Sequence, residues 1–120
     1  MLFGAAFVAA CGGSGGSSDS GPEPTPATSL SLKANNVKFD KKSLAAPAAT
    51  QVSLAFDNED GGVQHNFSLY EDKNGKKPVF KSDLFSGKKS VNYTFTVPTA
   101  GTYYFRCDAH PDMNGTFYAK

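Results

Sequence analysis

An antiparallel β-sandwich of about seven or eight strands is the fold this sequence predicts. Three observations lead there. Apolar and polar residues alternate with a period of two in several segments, which turns one face of each segment toward a core. Clusters of turn-forming residues separate those segments. No stretch carries the apolar spacing of an amphipathic helix. The aromatic supply agrees, because ten Phe and five Tyr with no Trp can fill a core interleaved with Val and Leu.

Taken in chain order, Leu30-Ser31-Leu32-Lys33 and Val37-Lys38-Phe39 open the sheet. Val52, Leu54 and Phe56 alternate with Ser53, Ala55 and Asp57, and Phe67 and Leu69 with Ser68 and Tyr70. Pro78 to Phe85 is the least patterned stretch and is read as the place for a helical turn. Val91, Tyr93, Phe95 and Val97 alternate with Asn92, Thr94 and Thr96. Two β-rich segments, Thr102–Arg106 and Gly115–Tyr118, close the chain. The turns between them are marked by Asn58-Glu59-Asp60-Gly61-Gly62, Asn74-Gly75, Ser86-Gly87 and Pro98-Thr99-Ala100-Gly101.

The first 29 residues read differently. Residues 1–10 form an apolar run about half as long as a membrane-spanning helix, and are expected to be a signal-peptide remnant. Val8-Ala9-Ala10-Cys11 resembles a bacterial lipobox, with Val8 where Leu is commoner, so Cys11 is the expected lipidation site. An ordinary signal peptide with an incidental cysteine is the alternative. No Lys or Arg precedes the run, which points to a precursor that starts upstream. Residues 11–29, Gly, Ser, Pro and Thr with a few acids, lack large apolar side chains and are expected to be a flexible tether. One folded domain is then expected over residues 30–120. Twelve basic and eleven acidic residues give a net charge of +1, and nothing in their distribution points to nucleic acid.

The chemistry is concentrated in one loop. Cys107-Asp108-Ala109-His110-Pro111-Asp112-Met113 sets a thiol, an imidazole and a thioether at Cys-x-x-His-x-x-Met spacing, and His65 adds a second imidazole from far upstream. Thiolate and thioether favour reduced copper, while imidazoles hold the oxidised ion. His65, Cys107 and His110 therefore read as a trigonal set, with Met113 as a weak axial ligand, around one copper ion. Taken singly, each has an ordinary reading: a loop-end histidine, a small buried hydrophobe, a gap-filling methionine. Jointly, they favour the metal. Cysteine usage agrees. If Cys11 carries lipid, Cys107 has no partner in an oxidising compartment, and metal ligation would protect it. Zinc accepts the Cys and two His, but a thioether suits copper better. A binuclear copper centre would need a second loop cysteine, and Asp57–Gly61 lacks the offsets of a calcium loop. The three Asn-x-Ser/Thr sequons at Asn66, Asn92 and Asn114 are incidental if the leader is bacterial.

Phe56-Asp57-Asn58, His65-Asn66-Phe67, the approach Gly101-Thr102-Tyr103-Tyr104-Phe105-Arg106-Cys107, and His110, Met113 and Gly115 together resemble the cupredoxin family of small blue copper proteins. The short loop with Pro111 after His110 is similar to the amicyanin type. The resemblance implies a Greek-key β-sandwich and an electron-transfer carrier; the lipobox-like leader implies that it works outside the cytoplasm, anchored to a bacterial membrane through Cys11. It casts Asn66 as the tie between the two ligand loops. It also implies an apolar collar around a surface-reaching His110, with Ala109, Pro111 and Met113 as candidates, while His65 lies buried. Ala109 stands where that type has Pro, so its N–H is available to the Cys107 sulfur. Asp108 and Asp112 are expected to be surface charges beside the port, favouring a partner with basic residues. The partners implied are cytochrome-, oxidase- or dehydrogenase-type redox proteins in transient contact with a monomer. No catalytic residues are expected. A copper carrier or storage protein, an adhesive sandwich with an incidental thiol, and a catalytic copper protein are the rivals.

Overall fold

The structure is a computed structural model and describes residues 23–120. The apolar run 1–10, Cys11 and the first part of the tether lie outside the described residues. No helix among the described residues is long and apolar enough to cross a membrane.

Among the described residues ten strands carry the fold: β1 (Ser29–Ala34), β2 (Ser43–Ala46), β3 (Gln51–Asn58), β4 (Gln64–His65), β5 (Ser68–Tyr70), β6 (Pro78–Lys81), β7 (Phe85–Ser86), β8 (Lys89–Thr96), β9 (Gly101–Arg106) and β10 (Asn114–Ala119). They form a three-stranded sheet β1-β3-β8, a five-stranded sheet β2-β10-β9-β5-β6 and a two-stranded ribbon β4-β7. The two large sheets share one core. Phe95 of β8 lies with its ring 5.0 Å from that of Phe80 on β6, 5.9 Å from Phe67 and 6.2 Å from Phe117 on β10. Phe56, Phe67, Phe105 and Phe117 are fully buried with Leu32, Leu54 and Leu69, each contributing about 1.5–3 kcal/mol of burial.

The all-β sandwich is the fold expected, with three local differences. Two strand pairs are parallel, β1 with β3 and β2 with β10, while the remaining pairs are antiparallel. The chain leaves β1 for β2 in the other sheet and returns to β3, so β1 and β3 point the same way. Period-two patterning is the same in both senses and cannot distinguish them. Pro78–Phe85 holds β6 and the start of β7 instead of a helical turn; Val79 and Phe80 pack on the core, and tertiary burial decides a short segment without clear periodicity.

The third difference lies at Val37–Phe39. Asn35 and Lys38 exchange backbone hydrogen bonds at 2.9 and 3.1 Å, and both residues between them are left-handed, Asn36 at φ 55° and Val37 at φ 56°. That is the conformation of a type I′ turn, which favours Asn first and Gly second. Val37 stands at the glycine position and points outward, leaving Phe39 to turn inward against Phe56 and Phe105.

Gly115 is required by close approach. A Cβ there would overlap the Phe105 ring and lie 2.5 Å from the Lys42 carbonyl oxygen. Neither neighbour is the free end of a flexible chain. Gly115→Ala should therefore destabilise the domain by about 3 kcal/mol, read as a lower urea midpoint with an unchanged slope.

Candidate metal centre

The alternation that buries Phe105 on β9 also buries Cys107 two residues on, and neither is accessible to solvent. Past Cys107 the chain closes a tight loop. The Cys107 N–H donates to the Met113 carbonyl at 2.9 Å, His110 N–H to the Cys107 carbonyl at 3.2 Å, and Met113 N–H to the His110 carbonyl at 2.8 Å. His65 ends β4, where it is paired with Phe85 of β7, and it too is fully buried. His65 Nδ1 and His110 Nδ1 each lie 3.7 Å from the Cys107 sulfur. One donor atom from each of the three residues falls within 4.8 Å of the others. Met113 is 3% exposed and lies in the same turn.

This donor set fits a metal. Bonds of about 2.0–2.1 Å to nitrogen and about 2.3 Å to sulfur in a plane separate the two atoms by roughly 3.5–4 Å, the spacing found here. Two imidazoles, a thiolate and an adjoining thioether together match copper better than zinc.

His65 is oriented from behind. Its Nε2 lies 2.7 Å from Oδ2 of Asp60, a carboxylate with only 10% of its side chain exposed. A carboxylate only accepts, so Nε2 carries a proton, and Nδ1 is left facing the thiol. Asp60 is itself gripped by the left-handed turn: Asn36 N–H donates to Oδ1 at 2.7 Å and Val37 N–H to Oδ2 at 2.9 Å. The Val37 bond and the His65 bond hold its carboxyl below the usual carboxylate range, against a smaller burial penalty. An anion behind the ring favours the more highly charged state of a bound metal. Asp60→Asn retains an acceptor but removes the charge, and should raise the reduction potential of the copper-loaded protein by about 59 mV, tenfold in the redox equilibrium. Voltammetry gives the value; no change would reduce Asp60 to a purely structural role.

Asp108 corrects an expectation. It is no free surface charge but the hub of a partly buried network. Its carboxylate accepts from Asn66 Nδ2 at 2.9 Å, Ser68 Oγ at 2.5 Å, Tyr70 OH at 2.6 Å and Arg106 Nε at 3.0 Å. Burial alone would raise its pKa, but the bonds from Asn66, Ser68, Tyr70 and Arg106 outweigh burial and hold the carboxyl well below the usual carboxylate range. Asn66, 1% exposed, also accepts the Asp108 N–H at 2.8 Å through Oδ1 and donates to the Ser82 carbonyl at 2.9 Å. The loops bearing His65 and Cys107 are laced together by this Asn66–Asp108 pair. Ala109, Pro111 and Asp112 are exposed, and His110 is half-buried between them.

Sequence reasoning missed Asp60 and misjudged Asp108. Asn35-Asn36 is a turn signal that could have exposed the left-handed turn. No local signal marks Asp60, because its partners are 5, 23 and 24 residues away.

A buried thiol flanked by two imidazoles, at one end of an all-β sandwich, defines the class: the chain belongs to the cupredoxin-like family, whose family model, described as a cupredoxin-like domain, matches residues 4–119. Among particular proteins, auracyanin-A from Chloroflexus aurantiacus is 30% identical, over 92% of this chain and 87% of that protein. In fold, the chain is similar to dithionite-reduced auracyanin from Roseiflexus castenholzii, with a TM-score of 0.72, 20% identity, and 80% of this chain and 99% of that one covered. It is also similar to auracyanin A from Chloroflexus aurantiacus, described as a "blue" copper protein, with a TM-score of 0.68, 24% identity, and 80% of this chain and all of that one covered.

Proposed function

We propose that this protein is a mononuclear blue copper electron carrier working outside the cytoplasm, with His65, Cys107, His110 and Met113 as the copper ligands. The observation that carries the reading is the convergence of two imidazole nitrogens and one thiol sulfur within 4.8 Å, anchored on a stiff aromatic core. Copper supplies a one-electron couple. The residues do the rest. Cys107 and Met113 favour the reduced ion and the imidazoles the oxidised one. The Asn66–Asp108 lacing and the Asp60–His65 pair keep the donors in place in both states, so little rearrangement accompanies each transfer. His110, half-buried with Ala109 and Pro111 exposed beside it, offers the route for the electron. Ala109 leaves a backbone N–H where proline would have none, available to stabilise thiolate charge.

The protein is then a carrier and not an enzyme. It acts as a monomer in brief contact with cytochrome-, oxidase- or dehydrogenase-type redox proteins. Lipid on Cys11, joined to the domain by the Gly-, Ser- and Pro-rich segment that follows it, would hold it at the membrane surface at high effective concentration. A fully buried sulfur disfavours a copper carrier, which must release its metal readily. Adding cupric ion to the full chain should give an intense blue colour that a reductant bleaches and an oxidant restores. A colourless protein, or one that yields its copper promptly to a chelator, would overturn the reading.

A further inference from the structure

We infer that the Asn36–Val37 turn and the lysine-lined cleft beside it form the docking face for a redox protein carrying acidic side chains around an apolar contact. This rests on the electron-carrier reading and adds the chemistry of the partner.

The strained turn is the first observation. Val37 is 43% exposed and sits at φ 56°, where a β-branched side chain is a genuine outlier and glycine would carry no strain. Backbone strain that persists at an exposed apolar residue points to a use for that side chain. Location is the second. The exposed large hydrophobics among the described residues are Val37 and Leu84, and each is linked to His65 through one intervening residue. Val37 N–H holds the carboxylate that holds His65, and Leu84 precedes Phe85, the strand partner of His65. Single exposed apolar residues are ordinary; Val37 differs because it lines the same cleft as Met113 of the ligand loop.

Charge is the third. A cleft of about 370 Å³ beside Val37 is lined by Lys38, Lys41, Lys42, Asp112 and Met113. Lys41 is engaged by the Ser31 carbonyl and by Asp40. Lys38 and Lys42 are exposed and enter no salt bridge among the described residues. Asp108 does not line the cleft and is paired with Arg106. Asp112 is left as the acid in the cleft. The chain as a whole is nearly neutral at +1, so any steering at this end is local. A positive flank beside an apolar contact recruits an acidic partner and repels a basic one.

Two small redox probes of opposite charge test the sign. The reduced, copper-loaded full chain gives one electron to hexacyanoferrate(III), which leaves as hexacyanoferrate(II), with no bond made or broken and no proton moved. Tris(phenanthroline)cobalt(III) takes one electron likewise but is a cation. The anionic probe should react about tenfold more slowly as salt rises from about 0.01 to about 1 M and the Debye length shrinks from about 30 to about 3 Å. The cationic probe should accelerate. In Lys38→Glu/Lys42→Glu both slopes should reverse, with the visible spectrum and potential unchanged. Salt slopes that the double variant does not move would overturn the docking face while leaving the electron carrier intact. Failure of both probes to oxidise the protein would overturn both.

Val37→Gly tests the apolar half. It should raise the unfolding midpoint, because strain is removed. At high salt, where lysine repulsion is screened, it should slow electron self-exchange between reduced and oxidised copies several-fold. Self-exchange at the wild-type rate would overturn the role of Val37.

Discussion

Replacing Cys107 with Ser is expected to abolish the intense visible colour of the copper-loaded protein while leaving the sandwich folded. The colour requires a thiolate bound to oxidised copper, and a serine hydroxyl stays protonated and is a hard, weak donor. Losing an outer partner of a ligand typically costs 10–100-fold in metal affinity, so losing the sulfur itself should cost more than about 100-fold. The fold should tolerate the change. Serine is smaller than cysteine, and its hydroxyl would meet the two imidazole nitrogens now 3.7 Å from the sulfur. The metal-free variant should lose no more than about 1–2 kcal/mol in urea unfolding. Retention of an intense blue band in Cys107→Ser would refute the ligand assignment. Unfolding of the metal-free variant would show that Cys107 is chiefly a core residue.

Asp108→Ala is expected to be the most damaging single change to stability among the residues near the site. The carboxylate collects four side-chain donors, of which Ser68 is fully buried, Asn66 1% exposed and Tyr70 2% exposed. Removing it leaves Arg106 without its counter-ion and the Ser68 and Tyr70 hydroxyls without this acceptor, while Asn66 keeps the Ser82 carbonyl. Breaking such a partly buried pair costs about 3–5 kcal/mol, a large share of the roughly 5–15 kcal/mol that holds a small domain. Asp108→Asn, which keeps one acceptor oxygen, should lose less. The pH dependence follows the same carboxylate. Its folded pKa is depressed, so its contribution is fully present above the unfolded value near about 3.9. It is lost as pH falls through that region toward the lower folded value. Unfolding of the metal-free chain should therefore show a loss of stability below about pH 4 that is smaller in Asp108→Asn. An identical acid limb in both proteins would remove Asp108 from this account.

Most of the fold was legible in the residues. The alternation over Val52–Phe56 and Val91–Val97 marked β3 and β8 because a half-buried strand must repeat its environment every second residue, and the β-rich composition of Thr102–Arg106 marked β9. Short elements escaped. β2 (Ser43–Ala46) and β4 (Gln64–His65) offer too few residues for a period to show. Pro78–Phe85 became strand only because the core lay ready to cover Val79 and Phe80.

The constellation at the metal end divides the same way. Cys107, His110 and Met113 were visible because local spacing places them in one loop, and His65 because few other soft or borderline donors exist in the chain. The partners of those residues were invisible. Asp60 reads as one acid in a turn, and Asp108 as one acid in a loop, until the other strands arrive.

The all-β class, the alternating core and the donor types available for a metal can be read from the residues alone. Those follow from side-chain chemistry and from periodicities within a few residues. Tertiary structure alone decided that His65 Nδ1 meets the Cys107 sulfur across 42 residues of chain, that Asp60 fixes the imidazole tautomer, and that Asp108 is neutralised within a network while the lysines remain outside. Each of these depends on where distant segments cross, and the parallel or antiparallel sense of those crossings leaves no mark on a period of two.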